Sequence, residues 1–132
     1  MTQSVRAANP GTVVGEQVTL VVRVPRPGGG SRPVRIRIDN IHRAPNGRYQ
    51  LGDAKHSGVH DLSNPATPLR PTLTPNQRIA YDAIRNGTAV SVTPVGQNAV
   101  NAGLTPGRAI PVNSGIDIHV NNPAGGITTR TY

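Results

Sequence analysis

Two carboxylates and one amine stand out in this sequence because their types and spacing suit phosphodiester chemistry. Asp53 and Lys55 are two residues apart in a segment that we predict to be a β-strand, so both side chains leave the same face. Asp39 ends the preceding predicted strand. Two neighbouring carboxylates repel each other unless a cation lies between them. With water and a substrate phosphate they suit Mg²⁺ or Mn²⁺, and Lys55 could orient or activate the attacking water.

The elements that would position these groups are a β-meander followed by a helix. Alternating apolar residues and turn signals predict strands over residues 18–24, 34–41, 48–56, 89–95 and 116–120. Thr74 is a suitable N-cap, and Gln77 three residues later completes a capping box. Pro75 fits the first helical position. The predicted helix therefore runs from Pro75 to about Asn86, where Gly87 is a good C-terminal stop.

The rest of the chain is predicted to be arms and loops: an extended arm over residues 1–15, loops over 57–73 and 96–115, and a polar tail after residue 120. We expect one domain over residues 1–132, with its catalytic core in 18–95 and a C-terminal strand and tail in 96–132. The expected fold class is α/β (α+β), with a mixed, mostly antiparallel central sheet and one main helix packed on it.

The composition narrows the classes of function. The formal net charge is +8, which favours a polyanionic partner such as nucleic acid. The absence of Cys excludes disulfides and thiolate metal sites. Among the 14 basic residues only Lys55 is a lysine, so the one amine lies beside a candidate carboxylate. No apolar run approaches the roughly 18 residues of a membrane span, and no secretory signal peptide is visible.

The motifs together resemble the PD-(D/E)xK, or restriction-endonuclease-like, nuclease superfamily. The matching segments are IRIDNI with Asp39, QLGDAKHS with Asp53 and Lys55, and QRIAY with Gln77 and Tyr81. The predicted order of strand, strand, strand, helix and strand over residues 18–95 also agrees with that family's core. Within the superfamily, the LTPNQ helix start is similar to the small nuclease domains at the ends of bacterial polymorphic and type VI secretion toxins.

This resemblance implies a role for each matching residue. Asp39 and Asp53 would hold the metal together with the main-chain carbonyl of Ala54. Lys55 would serve the nucleophile, and Gln77 would help to position the site. Gln77 also has a purely structural role available as the capping-box partner, and the two roles can coexist.

Other assignments depart from the family pattern or stay open. Ile38 precedes Asp39 where the family has Pro, and no N-terminal helix with an acidic residue is visible, which leaves Glu16 as a possible further metal ligand. Arg35 and Arg37, on the predicted face of Asp39, would contact substrate phosphate or simply face solvent. Tyr81, one helical turn after Gln77, is assigned either to nucleic-acid contact or to the core.

The resemblance also implies a biological setting. It is a secreted antibacterial toxin domain, delivered by a bacterium and acting in the target-cell cytoplasm. We expect its nucleic-acid substrate to be DNA rather than RNA. An acidic immunity protein would be its partner.

Two alternatives remain open at this stage. A metal-independent ribonuclease toxin would use histidines as acid and base, with His42, His56, His60 and His119 as candidates. A non-catalytic basic protein that binds nucleic acid, such as a virion protein, would explain the charge without any catalytic residue.

Overall fold

Six strands and two α-helices make up the part of the chain that the computed structural model describes, which is residues 13–56, 62, 64–121 and 126–132. The strands are β1 (Val13–Pro25), β2 (Ser31–Arg43), β3 (Tyr49–His56), β4 (Ser91–Val95), β5 (Val112–Asn121) and β6 (Ile127–Thr131). The α-helices are α1 (Pro75–Arg85) and α2 (Gln97–Asn101), and a single 3₁₀ turn covers Arg70–Thr72. In these described segments no helix has the length and apolar character needed to cross a membrane.

The strands form one open sheet in the order β4-β1-β2-β3-β5-β6. Neighbouring strands are antiparallel except β3 and β5, which are parallel. A parallel pair needs a long crossover connection, and the chain between β3 and β5 supplies it and includes α1. Helix α1 packs on the sheet and contacts β1, β2 and β5. The predicted mixed, mostly antiparallel sheet with one main helix is therefore confirmed.

The C-terminal third departs from the sequence prediction. Residues 96–115 were predicted to be a loop, but they contain α2 and the beginning of β5. The tail was predicted to lack a strand, yet ITTRT forms β6 on the edge of β5. Both predictions were wrong because these short segments have weak periodicity of their own and gain their structure by pairing and packing with distant elements. Of the predicted arm, residues 13–15 belong to β1, and residues 1–12 lie outside the described chain.

Helix α1 begins and ends as its sequence predicts. The Thr74 hydroxyl accepts a hydrogen bond from the backbone N–H of Gln77 (3.2 Å), and the Gln77 side chain accepts one from the backbone N–H of Thr74 (3.0 Å). This capping box satisfies two backbone donors that the first helical turn cannot pair. The chain leaves α1 at Gly87, whose φ of 72° is a conformation that glycine adopts without steric cost.

The regular alternation of β2 is interrupted in the middle of the strand. Ile38 and Ile41 are both fully buried, although residues three apart on a regular strand point to opposite faces. On β1, a Cβ placed on Gly15 would lie 3.2 Å from Val18, again three residues away. Between them Gln17 has a φ of 53°, a conformation that residues other than glycine rarely adopt. On both strands, therefore, the alternation between inward-facing and outward-facing residues changes at the height of Gln17 in the sheet. Asp39 lies at the same height on β2.

Candidate functional site

Strand β3 brings Asp53 and Lys55 to one side of the sheet. Asp53 is only 4% exposed, and its Oδ2 lies 3.3 Å from Nζ of Lys55. The spacing of two residues makes this pair possible, because side chains at i and i+2 on a strand share a face. The predicted Asp-x-Lys pair is thus a largely buried ion pair rather than a solvated one, and its charges interact more strongly than they would at the surface.

Asp39 reaches Asp53 because β2 and β3 separate beyond their last paired residues. The register ends at Asn40 opposite Gly52, and the next step along both strands would set Asp39 opposite Asp53. There, Oδ2 of Asp39 accepts a hydrogen bond from the backbone N–H of Ala54 (2.6 Å). The two carboxyl groups are close enough to share a side-chain hydrogen bond. The structure therefore brings together the two acids that the sequence singles out.

Gln17, which the sequence does not single out, also holds Asp39. Its Nε2 donates to Oδ1 of Asp39 (2.9 Å) from the neighbouring strand β1. Its own carbonyl oxygen accepts from Nδ2 of Asn98 on α2 (2.8 Å), which fixes the backbone of this left-handed residue. Backbone conformations of this kind cost about 1–3 kcal/mol and persist where surrounding contacts enforce them. No periodicity or motif points to Gln17, because its role depends on strand pairing and on a helix about eighty residues later.

Gln77 belongs both to the capping box and to the site. While its Oε1 caps α1, the same atom lies 3.3 Å from Nζ of Lys55, and its Nε2 donates to Oδ2 of Asp53 (3.2 Å). The two roles that the sequence leaves open therefore coexist. The first turn of α1 is tied to β3 through this one side chain, so a well-formed helix start also fixes the carboxylate and the ammonium group.

The two carboxyl groups have different affinities for a proton. Burial, the hydrogen bond with Asp39 and the nearby negative charge raise the pKa of Asp53 from 3.8 to about 6, against the opposing charge of Lys55. Burial also acts to raise the pKa of Asp39. The hydrogen bonds from Asp53, Ala54 and Gln17 outweigh it, and the pKa lies below its ordinary value. One site thus combines a carboxylate that stays ionised with a carboxyl group that holds its proton up to about pH 6.

Tyr81 lies beneath this pair in the core. Its side chain is fully buried, and its hydroxyl has no hydrogen-bond partner in the described structure. Burial, the negative charges of Asp53 and Asp39, and the closeness of the hydroxyl to the Asp53 carboxyl group raise the pKa of Tyr81 above its ordinary value, although the geometry of that approach is not that of a hydrogen bond. Of the two assignments that the sequence allows, the core position is the one observed. Such burial argues against direct contact with nucleic acid.

The remaining predicted site residues are less closely joined to the pair. Glu16 pairs with Asn40 across β1 and β2 and is half-buried, but within the described residues no three His, Cys, Asp or Glu side chains form a group that could hold a metal. Arg35 and Arg37 are exposed. Because the alternation of β2 changes before Asp39, these arginines do not share its face of the sheet. No ion pair joins either arginine to Asp39 among the described residues.

Two of the histidines form a separate polar cluster with Asp117. His42 and His119 are 9% and 5% exposed, and each interacts electrostatically with Asp117. Burial lowers the pKa of His119 and raises that of Asp117. The histidine-based ribonuclease stays an alternative hypothesis. The side chain of His56 and the whole of His60 lie outside the described residues.

The donors at the site fit a hard divalent cation with few protein ligands. Asp39 and Asp53 offer carboxylate oxygens, and the negative charge of Asp39 helps to raise the pKa of Asp53. A cation placed between the two ionised carboxylates would relieve their repulsion. Mg²⁺ is commonly held by one or two carboxylates, with water and substrate phosphate completing its shell. The role of the Ala54 carbonyl as a further metal ligand stays a prediction. The carboxylates are thus suited to Mg²⁺ or Mn²⁺ and lack the nitrogen and sulfur donors that zinc prefers.

Comparisons with known proteins leave the site to be interpreted from its own geometry. No protein-family model, no curated protein and no solved structure matches this chain.

Proposed function

We propose that this protein is a metal-dependent nuclease that hydrolyses phosphodiester bonds, with DNA as its preferred substrate. The observation that carries the proposal is the cluster of Asp39, Asp53, Lys55 and Gln77. Three of these groups meet at the carboxylate of Asp53: Lys55 at 3.3 Å, Gln77 at 3.2 Å and Asp39 through a shared hydrogen bond. An isolated surface ion pair, the simpler explanation of Asp-x-Lys, would not be 4% exposed and tied to a second acid.

Each side chain has a distinct part in this proposal. Asp39 and Asp53, with the carbonyl of Ala54, hold Mg²⁺ or Mn²⁺, which when bound polarises the phosphate and lowers the pKa of its water. Lys55 places positive charge beside the reacting phosphate, where negative charge develops in the transition state. Gln77 fixes the orientation of both Asp53 and Lys55 through its two side-chain contacts.

The unequal proton affinities of the two acids support the same assignment. Asp39 stays ionised and is held by hydrogen bonds from Gln17 and Ala54, so it provides a fixed anionic ligand. Asp53 releases its proton at about pH 6, so both carboxylates are ionised and ready for a dication in neutral solution. Activity should therefore rise with pH between about 5 and 7, as Asp53 becomes able to bind the cation.

The wider setting rests on the sequence resemblance. A net charge of +8 suits both a DNA substrate and an acidic immunity protein, and the resemblance to secretion-system toxin domains suggests a delivered antibacterial effector. The DNA preference and the delivery route are part of the proposal and are tested separately from the chemistry.

Plasmid cleavage tests the proposal directly. Supercoiled DNA is incubated with the protein in Mg²⁺ or Mn²⁺, with and without excess EDTA, for the wild type and for Asp39→Asn, Asp53→Asn and Lys55→Met. We expect each variant to lose at least about a hundredfold in rate, as when a group serving the transition state is removed. Asp117→Asn on the neighbouring strand is the matched control and should retain activity.

The other outcomes identify the rival functions. Cleavage of RNA that survives EDTA and is lost in Asp117→Asn or His119→Ala would support the metal-independent ribonuclease. Tight DNA binding with no cutting by any metal would support a non-catalytic nucleic-acid-binding protein. Either result overturns the metal-dependent mechanism.

A further inference from the structure

The outward face of β4, β1 and the first half of β2 carries positive charge and no acid. Along these strands the buried positions are apolar, and the positions between them face outward. The outward positions are defined by three cross-strand rows: Val95, Thr19 and Arg37; Thr93, Val21 and Arg35; Ser91, Arg23 and Pro33. We call these nine residues the arginine face. Its three arginines are all exposed.

The charge on the arginine face is not neutralised within the described structure. Residues 18–38 and 91–95 contain no Asp or Glu. The ion pairs formed among the described residues are Lys55–Asp53 and Arg70–Asp82, neither of which involves this face. Arg23 is already oriented, because its guanidinium donates to the hydroxyl (2.9 Å) and the carbonyl (3.3 Å) of Ser31. Like charges held together on a rigid sheet repel, so an anionic partner would relieve a cost that the free protein bears.

We propose that the arginine face binds the sugar-phosphate backbone of duplex DNA and tethers the protein to its substrate from the side of the sheet opposite Asp39. This inference rests on the proposed nuclease function, because it assigns a docking surface to that substrate. From the row of Arg37 to the row of Arg23 is about 13 Å, which corresponds to about four base pairs of duplex.

The make-up of the face favours duplex over single-stranded nucleic acid. Proteins that bind single strands usually stack the unpaired bases on aromatic side chains. No outward position of the arginine face is aromatic, since its other members are Ser, Thr, Val and Pro. These side chains are all shorter than arginine, so the guanidinium groups extend farthest from this face. Duplex DNA needs no stacking platform because its bases are already stacked, and phosphate contacts alone can hold it.

The salt dependence of DNA binding tests this surface. Binding of a 20-base-pair duplex and of the corresponding single strand is measured by fluorescence anisotropy in EDTA, where the metal-dependent reaction is off. The test variant is Arg35→Ala/Arg37→Ala, and the matched control is Arg26→Ala/Arg32→Ala in the same hairpin. The control removes the same charge, but Arg32 is level with the inward-facing Val24 and Arg26 lies in the turn, away from the arginine face.

We expect the test variant to reduce the slope of log K against log salt by about 1.8, at about 0.9 for each phosphate that the protein no longer neutralises. Between 50 and 200 mM salt, the fold-loss of DNA affinity should therefore be about ten times smaller for the test variant than for the wild type. The control should change the slope by less than half as much, and both variants should unfold at the wild-type temperature.

Equal loss of affinity in both double variants would show diffuse attraction and overturn the proposed face. So would an unchanged slope in the test variant, or single-strand binding as tight as duplex binding. The nuclease proposal is judged independently, by whether the wild type cuts DNA and Asp53→Asn does not. A protein that cuts normally with an unchanged slope refutes the arginine face alone.

Discussion

Replacing Asp53 by asparagine should stabilise the metal-free protein above pH 6 while abolishing cleavage. Burial raises the pKa of Asp53 from 3.8 to about 6, so the folded state prefers the protonated acid. The stability that this preference provides is complete below pH 3.8 and is lost as the pH rises through about 6. Asparagine imitates the protonated acid at every pH and can still accept the hydrogen bond from Gln77.

The size of the effect follows from the pKa. At about 1.4 kcal/mol for each pH unit between 3.8 and about 6, ionising Asp53 in the folded protein costs up to about 3 kcal/mol. For a chain of 132 residues this corresponds to a rise in Tm of about 10 °C for Asp53→Asn at pH 8. The difference in Tm between Asp53→Asn and the wild type should shrink to zero near pH 4. Thermal unfolding in EDTA at a series of pH values measures it.

Asp82 provides a control of opposite sign. Burial acts to raise its pKa, but hydrogen bonds with Tyr132 and Arg70 outweigh this and lower it. Its contribution to stability is therefore present near neutral pH and lost as the pH falls. Asp82→Asn should lower the Tm at pH 8 and have little effect under acid conditions. Both variants remove one negative charge, so a general effect of net charge would move them in the same direction.

Mg²⁺ adds a second test to the same experiment. At a concentration one hundred times its Kd, the ion should stabilise the wild type by about 2.7 kcal/mol and should have a much smaller effect on Asp53→Asn. The reasoning fails if Asp53→Asn lowers the Tm at pH 8 in EDTA, since Asp53 would then be stabilised as an anion by Lys55. Equal stabilisation of both proteins by Mg²⁺ would remove Asp53 from the metal site.

Three further substitutions test the surroundings of the site. Gln17→Gly and Gln17→Ala should both cut DNA about tenfold more slowly, because Asp39 loses a hydrogen-bond donor. In urea unfolding, the glycine variant should be about 1 kcal/mol more stable than the alanine variant, because glycine adopts the positive φ without strain. Equal stabilities of the two variants would contradict this. Gly52→Ala should lower the free energy of unfolding in urea by about 1–3 kcal/mol, because the new Cβ would lie 2.4 Å from Oδ1 of Asn40. An unchanged midpoint would show that Asn40 moves freely. Tyr81→Phe should be neutral or stabilising in the same assay, since the hydroxyl that it removes has no partner in the described structure; destabilisation above about 1 kcal/mol would reveal one.

The local chemistry of the sequence was enough to predict the elements that carry the site. Alternating apolar residues locate β1, β2 and β3, and the Thr74–Gln77 capping box locates the start of α1, because these signals act between residues only a few positions apart. The spacing of Asp53 and Lys55 likewise predicts a shared face. The Asn46-Gly47 turn predicts that β2 and β3 are adjacent, which is why Asp39 could be proposed as the partner of Asp53.

Only the tertiary structure decides how the carboxylates are held. Gln17 and Asn98 act on Asp39 through strand pairing and helix packing between residues far apart in sequence, so no local pattern reveals them. The left-handed backbone at Gln17 changes which residues of β1 and β2 face inward, and strand alternation therefore misplaces Arg35 and Arg37 relative to Asp39. The proton affinity of Asp53 is likewise set by burial and by its neighbours in space. A sequence fixes the identity of a titrating group, whereas its pKa depends on the solvent and charges that the fold removes or brings near.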